Sequence, residues 1–355
     1  MSATWGKKIR YTIFGESHGK GIGITIDGLP SGLEIDVAEI TREMARRAPG
    51  RSPLATARCE KDVFTIWSGF INGKTTGTPL CAIIENGDQR SADYTAMEQK
   101  FRPGHADYSG YIKYNGFNDI RGGGHFSGRV TAPLVLAGAI AKQLLAQENI
   151  LIGAHIQRIG PVHEPQFDAV TINPLVLRQL NHQEFAVIDP LIGKQMQDCI
   201  LSAKSEGDSV GGIIEATAIN LPAGLGDPFF DSLESTLTHL LFSIPAIKGV
   251  EFGAGFDLAT MRGSVANDAM YSQDGVIKTT TNHNGGVLGG ITNGMPLIFR
   301  VVIKPTASIS VEQHTVDSYG ENVTLTIGGR HDPCIVPRAV PVVEAVTAMA
   351  ILDIL

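Results

Sequence analysis

Two long segments without a polar face limit how this chain of 355 residues can fold. The segment 128–147 is predicted to be a helix with Ser127 as its N-cap, and it is apolar nearly all round. A second apolar helix is predicted at 339–355. Helices of this kind are buried, so we expect both to lie inside the protein. The longest apolar stretch, 130–142, is too short to span a bilayer, and we expect no membrane association.

Strand-like and helical segments are intermixed along the rest of the sequence. Strand patterns lie at 10–14, 22–27, 63–67, 79–85, 211–222 and 296–305. Helical patterns lie at 37–47 after the N-cap candidate Asp36, near 193–205, and at 231–244. The sequence contains no Pro/Ser-rich linker, low-complexity tract or fixed-period repeat. We therefore predict one large α/β or α+β unit that spans residues 1–355.

Composition and charge exclude several classes of protein. The chain is 43% hydrophobic and 18% charged, which is typical of a globular protein. Its net charge of −7 argues against a general nucleic-acid binder. None of the four cysteines forms a CxxC pair or a Cys/His cluster with zinc spacing, so we expect no metal site and reduced thiols. The N-terminal residues lack the apolar stretch of a signal peptide, and we expect a cytoplasmic protein.

Arginines are concentrated where an acidic chain would bind a small polyanion. Five fall within 42–58, and others lie beside Gly-, Pro- or His-rich stretches: Arg42, Arg46, Arg47, Arg51, Arg58, Arg102, Arg121, Arg129, Arg330 and Arg338. A guanidinium presents a planar fork of donors that suits carboxylate or phosphate. For Arg42 and Arg46 we favour the alternative of a solvated helix face. For Arg129, next to Gly128 and the apolar helix, we favour anion binding.

Glycine-rich loops and two histidines indicate where chemistry could occur. The triple glycine 122–124 precedes the helix at 128–147 and could hold a phosphate, although a tight turn is the alternative. His18 and His105 each lie in a Gly-flanked loop, and His331-Asp332 follows a third. Histidine, with an ordinary pKa near 6.5, is a natural proton donor at neutral pH. Five other histidines are expected to make only structural hydrogen bonds: His155, His163, His182, His239 and His314. The residues alone predict an enzyme that handles a small anion with histidine acid chemistry.

Seven sequence blocks in order resemble the chorismate synthase family over the length of the chain. They are FGESHGKGIGITIDGLPSG at 14–32, TTGTPLCAIIENGDQRSADY at 75–94 with FRPGHADYSG at 101–110, DIRGGGHFSGRVTAPLVLAGAIAK at 119–142, IPAIKGVEFGAGF at 244–256, NHNGGVLGGITNGMP at 282–296, IKPTASI at 303–309 and GGRHDPCIVPRAVPVVEA at 328–345. The resemblance implies a β-α-β sandwich-type fold and a homotetramer. It also implies a carbon–oxygen lyase of the shikimate pathway, which converts 5-enolpyruvylshikimate 3-phosphate to chorismate and phosphate by 1,4-anti elimination. The cofactor implied is reduced FMN, which an external flavin reductase would supply, with NADPH only as an indirect reductant.

The resemblance also implies roles for individual residues. His18 matches the histidine that protonates the departing phosphate, His105 the one that helps to protonate reduced flavin, and Asp332 the aspartate that works with flavin in removing the ring proton. The positions matched to cofactor binding are Arg47, His125, Phe126, Ser127, Pro245, Ala246, Gly289, Lys304, Pro305, Thr306, Ala307, Ser308 and Arg330, and those matched to substrate anions are Arg51, Arg129 and Arg338.

The chain departs from the family pattern at three places. His125-Phe126-Ser127 stands for the usual Arg-Ser-Ser, Pro245 for an Asn, and Pro53 for an Arg. Two other functions therefore remain open at this point: a flavin-dependent oxidoreductase, and a flavin-binding relative that has lost activity. No Rossmann fingerprint supports the first, and the presence of His18, His105 and Asp332 argues against the second.

Overall fold

A computed structural model describes residues 3–50, 54, 60–87, 100–328 and 331–355. Within these ranges the helices are α1 Val37–Arg47, α2 Asp107–Lys113, α3 Ala132–Gln147, α4 Pro174–Leu180, α5 Pro190–Ser205, α6 Leu233–Leu241, α7 Gly263–Ala266 and α8 Val336–Ile354. The strands are β1 Thr4–Trp5, β2 Arg10–Gly15, β3 Gly21–Asp27, β4 Phe64–Ser68, β5 Phe70–Ile71, β6 Lys74–Thr75, β7 Leu80–Glu85, β8 Leu151–Ile159, β9 Val162–His163, β10 Gly212–Ile219, β11 Ile247–Phe252, β12 Met270–Gln273, β13 Val276–Thr279, β14 Val287–Leu288, β15 Ile291–Thr292, β16 Leu297–Ile303, β17 Gln313–Val316 and β18 Asn322–Leu325.

Two antiparallel five-stranded sheets form the outer layers of the core. The first sheet has the order β1-β2-β3-β7-β4, and the second has the order β11-β16-β10-β8-β9. Helix α3 contacts β3, β2 and β7 of the first sheet, whereas α8 contacts β8 and β10 of the second. The helices therefore lie between the two sheets, and the predicted α+β class with a β-α-β sandwich arrangement is confirmed.

The two apolar helices pack directly on each other, as their composition predicts. Helix α3 is buried from Ala132 through Ala141, and α8 is buried along most of its length. A Cβ on Gly138 would lie within 3.0 Å of the backbone of Ala345, so the absence of a side chain there lets the two helices approach closely. Their packing forms the centre of a single cluster of buried apolar residues.

Among the described residues, one helical stretch is long and apolar enough to cross a membrane, by length and composition only. The stretch Arg121–Gln147 joins two short 3-10 turns to α3, and 72% of its most apolar window is buried inside the protein. Helix α3 alone has 16 residues, fewer than the roughly 20 that a bilayer requires. Among the described residues this is a core helix.

Local signals set the helix ends that position the site. The Asp36 carboxylate accepts hydrogen bonds from the backbone of Ala38 and Glu39 and begins α1 at the predicted residue. Ser127 caps the 3-10 turn Gly128–Thr131, which continues into α3, as predicted. Helix α8 begins earlier than predicted, at Val336, with a proline in its first turn.

Candidate active site

The triple glycine passes between two histidines that are far apart in the sequence. All three glycines have left-handed backbone, with φ of 59°, 85° and 53°. A Cβ on Gly122 would lie well inside 3.0 Å of the His18 imidazole, and one on Gly123 would lie 3.1 Å from Cε1 and Nε2 of His105. The turn needs glycine for both its conformation and its contacts. The imidazoles of His18 and His105 therefore lie against adjacent glycines of one turn.

His18 lies in the turn between β2 and β3, and only 5% of its surface is exposed. The backbone N–H of Ser17 donates to Gly124 O at 3.1 Å. Nδ1 of His125 donates to Gly15 O at 2.9 Å, which requires the proton on that nitrogen. The triple-glycine turn therefore fixes the His18 loop at two points.

The amide of Asn86 fixes the other side of the His18 loop. Its Nδ2 donates to Glu16 O and Gly19 O, each at 2.9 Å. Its Oδ1 accepts from Nε of Arg129 at 3.0 Å. Asn86, at the end of β7, thus connects the backbone around His18 to an arginine expected to bind an anion.

Two neighbouring carboxylates, those of Glu16 and Asp119, lie at the His18 loop. Burial raises the pKa of Glu16, and the neighbouring Asp119 carboxylate raises it further. Hydrogen bonds from Arg121 lower the pKa of Asp119 below its usual range, and the charge of His18 contributes to the same shift. Glu16 and Asp119 therefore place acidic groups close to His18.

His105 is oriented by an acid two residues further along the chain. Its Nδ1 donates to Oδ1 of Asp107 at 2.5 Å, and Arg102 donates to both oxygens of the same carboxylate at 2.7 and 2.8 Å. Burial would raise the pKa of Asp107, but the hydrogen bonds from Arg102 and His105 outweigh it and hold the pKa well below its ordinary value. With the Nδ1 proton held by an ionised carboxylate, Nε2 is the nitrogen that can exchange a proton.

The segment 304–308 packs against the loop that carries His105. Nζ of Lys304 donates to Gly104 O, and Nη1 of Arg102 donates to Ser308 Oγ at 3.4 Å. A Cβ on Gly104 would lie 3.6 Å from Cβ of Ala307. Burial, and then the charge of Lys248, lowers the pKa of the Lys304 ammonium. Three of the residues predicted for cofactor binding therefore lie beside His105.

Three further residues predicted to bind the cofactor, Ala246, Pro305 and Thr306, lie in or against the segment 304–308. The carbonyl of Ala246 accepts from the backbone N–H of Lys304 at 3.0 Å, and Ala246, which follows Pro245, has a left-handed φ of 74°. The ring of Pro305 lies next to Gly211. Among the described residues, the buried Oγ1 of Thr306 has no hydrogen-bond partner.

The arginines predicted to bind anions are paired with the protein's own carboxylates. Arg47 and Arg129, 2% and 5% exposed, both donate to Asp62. Their charges outweigh the effect of burial and lower the pKa of Asp62. Arg338 donates to Oδ2 of Asp332 at 2.6 Å and to the carbonyl of Arg47 at 3.0 Å. An anion bound by these arginines would share their donors with Asp62 and Asp332.

Several predicted site residues lie away from the two histidines or outside the described residues. Gly289 is exposed in the hairpin turn between β14 and β15, and the adjacent Gly290 lies against Ser232, so the described contacts do not join it to the histidines. Phe126 packs against Gly110 of α2, and its ring lies 6.2 Å from that of Tyr114. Arg51 and Arg330 lie outside the described residues, as does Pro53.

The prediction of a solvated face for Arg42 and Arg46 is wrong for Arg46. The Arg46 side chain is only 8% exposed and donates to both oxygens of Glu344, at 2.6 and 3.0 Å. Glu43 and Lys142 complete the cluster, which joins α1, α3 and α8. The helix pattern does not reveal this burial because the acidic partner lies 298 residues away.

His155 makes structural hydrogen bonds, as predicted, in a fully buried row of charges. Its Nδ1 pairs with Glu164, and its Nε2 pairs with Glu215 at 2.9 Å. Burial alone would lower the pKa of His155, but the two carboxylates outweigh it and raise the pKa. Arg300 extends the row on the other side of Glu215. These charges join strands of the second sheet and do not contact the histidine site in the contacts described.

Sequence reasoning missed three residues that hold the site together, namely Asp62, Asn86 and Asp107. The spacing of His105 and Asp107 is a local signal that could have identified Asp107. The partners of Asp62 and Asn86 lie 15 to 70 residues away in the sequence, so no local pattern indicates them.

Comparison with known proteins decides the family. A family model described as chorismate synthase matches residues 9–355. The chain belongs to the chorismate synthase family. It is 47% identical over 355 residues to a chorismate synthase of Dehalococcoides mccartyi, covering 100% of this chain and 96% of the relative. A chorismate synthase of Thermococcus kodakarensis is 48% identical over 349 residues, with 98% of this chain and 96% of the relative covered.

A solved structure supports the same conclusion for the fold. A crystal structure of chorismate synthase superposes with a TM-score of 0.77 at 31% sequence identity. The match covers 99% of this chain and 92% of that chain. The fold class predicted from the resemblance is therefore confirmed, and family membership implies an enzyme.

Proposed function

We propose that this enzyme is a carbon–oxygen lyase that converts 5-enolpyruvylshikimate 3-phosphate to chorismate and phosphate by 1,4-anti elimination. The observation that carries the proposal is the meeting of His18 and His105 on one triple-glycine turn. The loop of Asp332 is connected to the same region through Arg338 and the carbonyl of Arg47. Family membership supplies the substrate class.

The residues around His105 fit reduced FMN as the cofactor. Lys304 offers a cation for a flavin phosphate, and Ser308 offers a hydroxyl that lies against Arg102. Thr306 carries a buried hydroxyl without a partner among the described residues, which suits a ligand polar atom. Ala307 and Gly104 keep the space between the two segments small and apolar. Reduced FMN, when bound, would supply electron density to a reaction that has no net redox change.

Proton transfer follows from the groups that the protein positions. In the elimination, the phosphate leaves with the electrons of its carbon–oxygen bond, and a proton leaves another ring carbon while its bonding electrons enter the new diene. His18 would donate a proton to the departing phosphate, as the family resemblance implies, from a loop that the triple-glycine turn holds in place. His105, whose Nδ1 donates to Asp107, would present Nε2 as the ring nitrogen that exchanges a proton. Asp332, oriented by Arg338, would assist in removing the ring proton.

The same proposal includes the setting in which the enzyme works. We expect reduced flavin to come from an external flavin reductase, with NADPH acting only as an indirect reductant. We also propose that the enzyme is a homotetramer, as the family resemblance implies, and that it works in the cytoplasm. These properties can be checked by sedimentation of the purified protein and by fractionation of cells.

Anaerobic incubation with reduced FMN and 5-enolpyruvylshikimate 3-phosphate tests the proposal. Formation of chorismate and phosphate in equal amounts, without net flavin oxidation, is the expected result. Stoichiometric flavin oxidation would instead indicate an oxidoreductase. Flavin binding without turnover would indicate an inactive relative, and either result would overturn the proposal.

A further inference from the structure

We propose that Asn86 is a positioning residue, which holds the backbone on both sides of His18 and couples it to Arg129. The inference rests on the proposed function, because His18 matters for rate only if it donates a proton there. Asn86 lies at the end of β7 and is half-buried. Its own backbone N–H donates to Lys20 O at 3.3 Å, which aligns the strand end with the loop.

Every polar group of the Asn86 side chain is used in the connection. The two hydrogens on Nδ2 go to Glu16 O and Gly19 O, and these carbonyls bracket Ser17 and His18. The remaining oxygen accepts from Arg129. Only an amide combines two donors and one acceptor in this way, so the three partners together fix its orientation.

The connection restrains the side of the loop that the glycine turn does not hold. The contacts from Gly124 and His125 reach Ser17 and Gly15. Without the Asn86 side chain, the carbonyls of Glu16 and Gly19 would lose the donors that its amide supplies, and this side of the His18 loop would be less restrained. A displacement of about 1 Å in a catalytic group can lower a rate by about 10²-fold.

Two substitutions separate the donor and acceptor functions. Asn86→Asp has nearly the same shape and still accepts from Arg129, but it replaces both donors with an oxygen that repels the two carbonyls. Asn86→Ala removes both functions. Asn181→Ala is a matched control, because Asn181 also donates through Nδ2 to a backbone carbonyl, that of Ile152, at 3.0 Å outside the site.

We expect both Asn86 variants to lower kcat by about 10- to 100-fold. The KM for substrate should rise with Asn86→Ala, because Arg129 loses an acceptor, and should stay closer to that of the unmodified enzyme with Asn86→Asp. Asn181→Ala should change thermal stability but neither kinetic constant. Unchanged kcat in Asn86→Asp, or equal kinetic effects of Asn86→Ala and Asn181→Ala, would overturn the proposal.

Amide hydrogen exchange of residues 16–20 in the ligand-free protein provides a test that does not depend on turnover. Exchange there should be faster in both Asn86 variants and unchanged in Asn181→Ala. Unchanged exchange in the Asn86 variants would refute the positioning role. If the unmodified enzyme forms no chorismate, the proposed function fails, while the exchange experiment still decides whether Asn86 holds the loop.

Discussion

Replacing Gly122 by alanine should separate the geometry of the site from the stability of the fold. The added Cβ would fall well inside 3.0 Å of Cε1 and Nδ1 of His18, whereas ordinary contact begins at 3.4 Å. The imidazole or the turn would therefore have to move by about 1 Å, a displacement that can lower a rate by about 10²-fold. This loss corresponds to about 2.7 kcal/mol of activation free energy.

The effect on stability should be smaller than the effect on rate. The left-handed φ of 59° at Gly122 costs an alanine about 1–2 kcal/mol, partly offset by about 0.4–1 kcal/mol from the less flexible unfolded chain. Gly73→Ala is the matched control: Gly73 has a left-handed φ of 80°, and a Cβ there would meet nothing within 4 Å. Both variants should show a decrease in Tm from this backbone cost, and the decrease should be larger for Gly122→Ala, because its Cβ also displaces a buried side chain.

The assay is kcat for chorismate formation under anaerobic conditions with saturating substrate and reduced FMN. Gly122→Ala should lose about 10²-fold in kcat, and Gly73→Ala should keep it. If Gly122→Ala has the activity of Gly73→Ala at a temperature where both are folded, the triple-glycine turn does not position His18 for the reaction. A crystal structure of Gly122→Ala with an undisplaced imidazole would refute the reasoning at its first step.

His18→Ala should lower kcat by about 10²- to 10⁴-fold, the usual loss for a general acid, while a titration with reduced FMN gives an unchanged Kd. Asp332→Asn should bind substrate and reduced FMN but turn over at least about 10²-fold more slowly; near-normal turnover with a lower Tm would make Asp332 a structural loop residue. Burial would raise the pKa of Glu43, but Lys142 and Arg46 outweigh it and lower the pKa to about 2, against an ordinary value of 4.5. The ionised Glu43 therefore contributes stability above about pH 4.5, and this contribution is lost as the pH falls through about 2. Thermal unfolding from pH 6 to pH 2 should show a smaller acid-induced decrease in Tm for Glu43→Gln, and an unchanged decrease would contradict the assignment.

The parts of the fold that the sequence predicts are those with local signals. Helix α1 spans the predicted residues 37–47, because its N-cap Asp36 acts on the adjacent backbone groups. Strand β8 was not predicted, although it lies inside the second sheet. Its polar residues, such as His155, interrupt the apolar pattern, and their partners on β10 and in the loop after β9 are known only from the structure.

In the candidate site, too, only the residues that carry a local sequence signal could be predicted. His18, His105 and the triple glycine were found because each lies in a distinctive local motif. Their meeting could not be predicted, because it depends on how β2, β3 and the turn before α3 pack together. Asp62 and Asn86 carry no such motif and act only through partners distant in the sequence. Sequence reasoning therefore identified the histidines that could transfer protons, but not the residues that hold the site together.

Carboxylate pairing changes the expected role of the arginines in this site. A cluster of free guanidiniums would attract a polyanion over a distance. Arg47, Arg129 and Arg338, however, already have acidic partners. Arg47 and Arg129 share Asp62, and Arg129 also lies 3.1 Å from a Glu60 oxygen. Buried pairs of this kind rarely add net stability, since desolvation offsets the attraction. Their consequence is geometric: Asp62 sets the direction of two guanidiniums, and through Asn86 one of them is joined to the loop of His18. Arg47, Arg129 and Arg338, which the sequence alone suggests as anion-binding residues, are therefore held in place by carboxylates of the protein itself. A substrate anion would bind to guanidinium donors whose direction these carboxylates have already set.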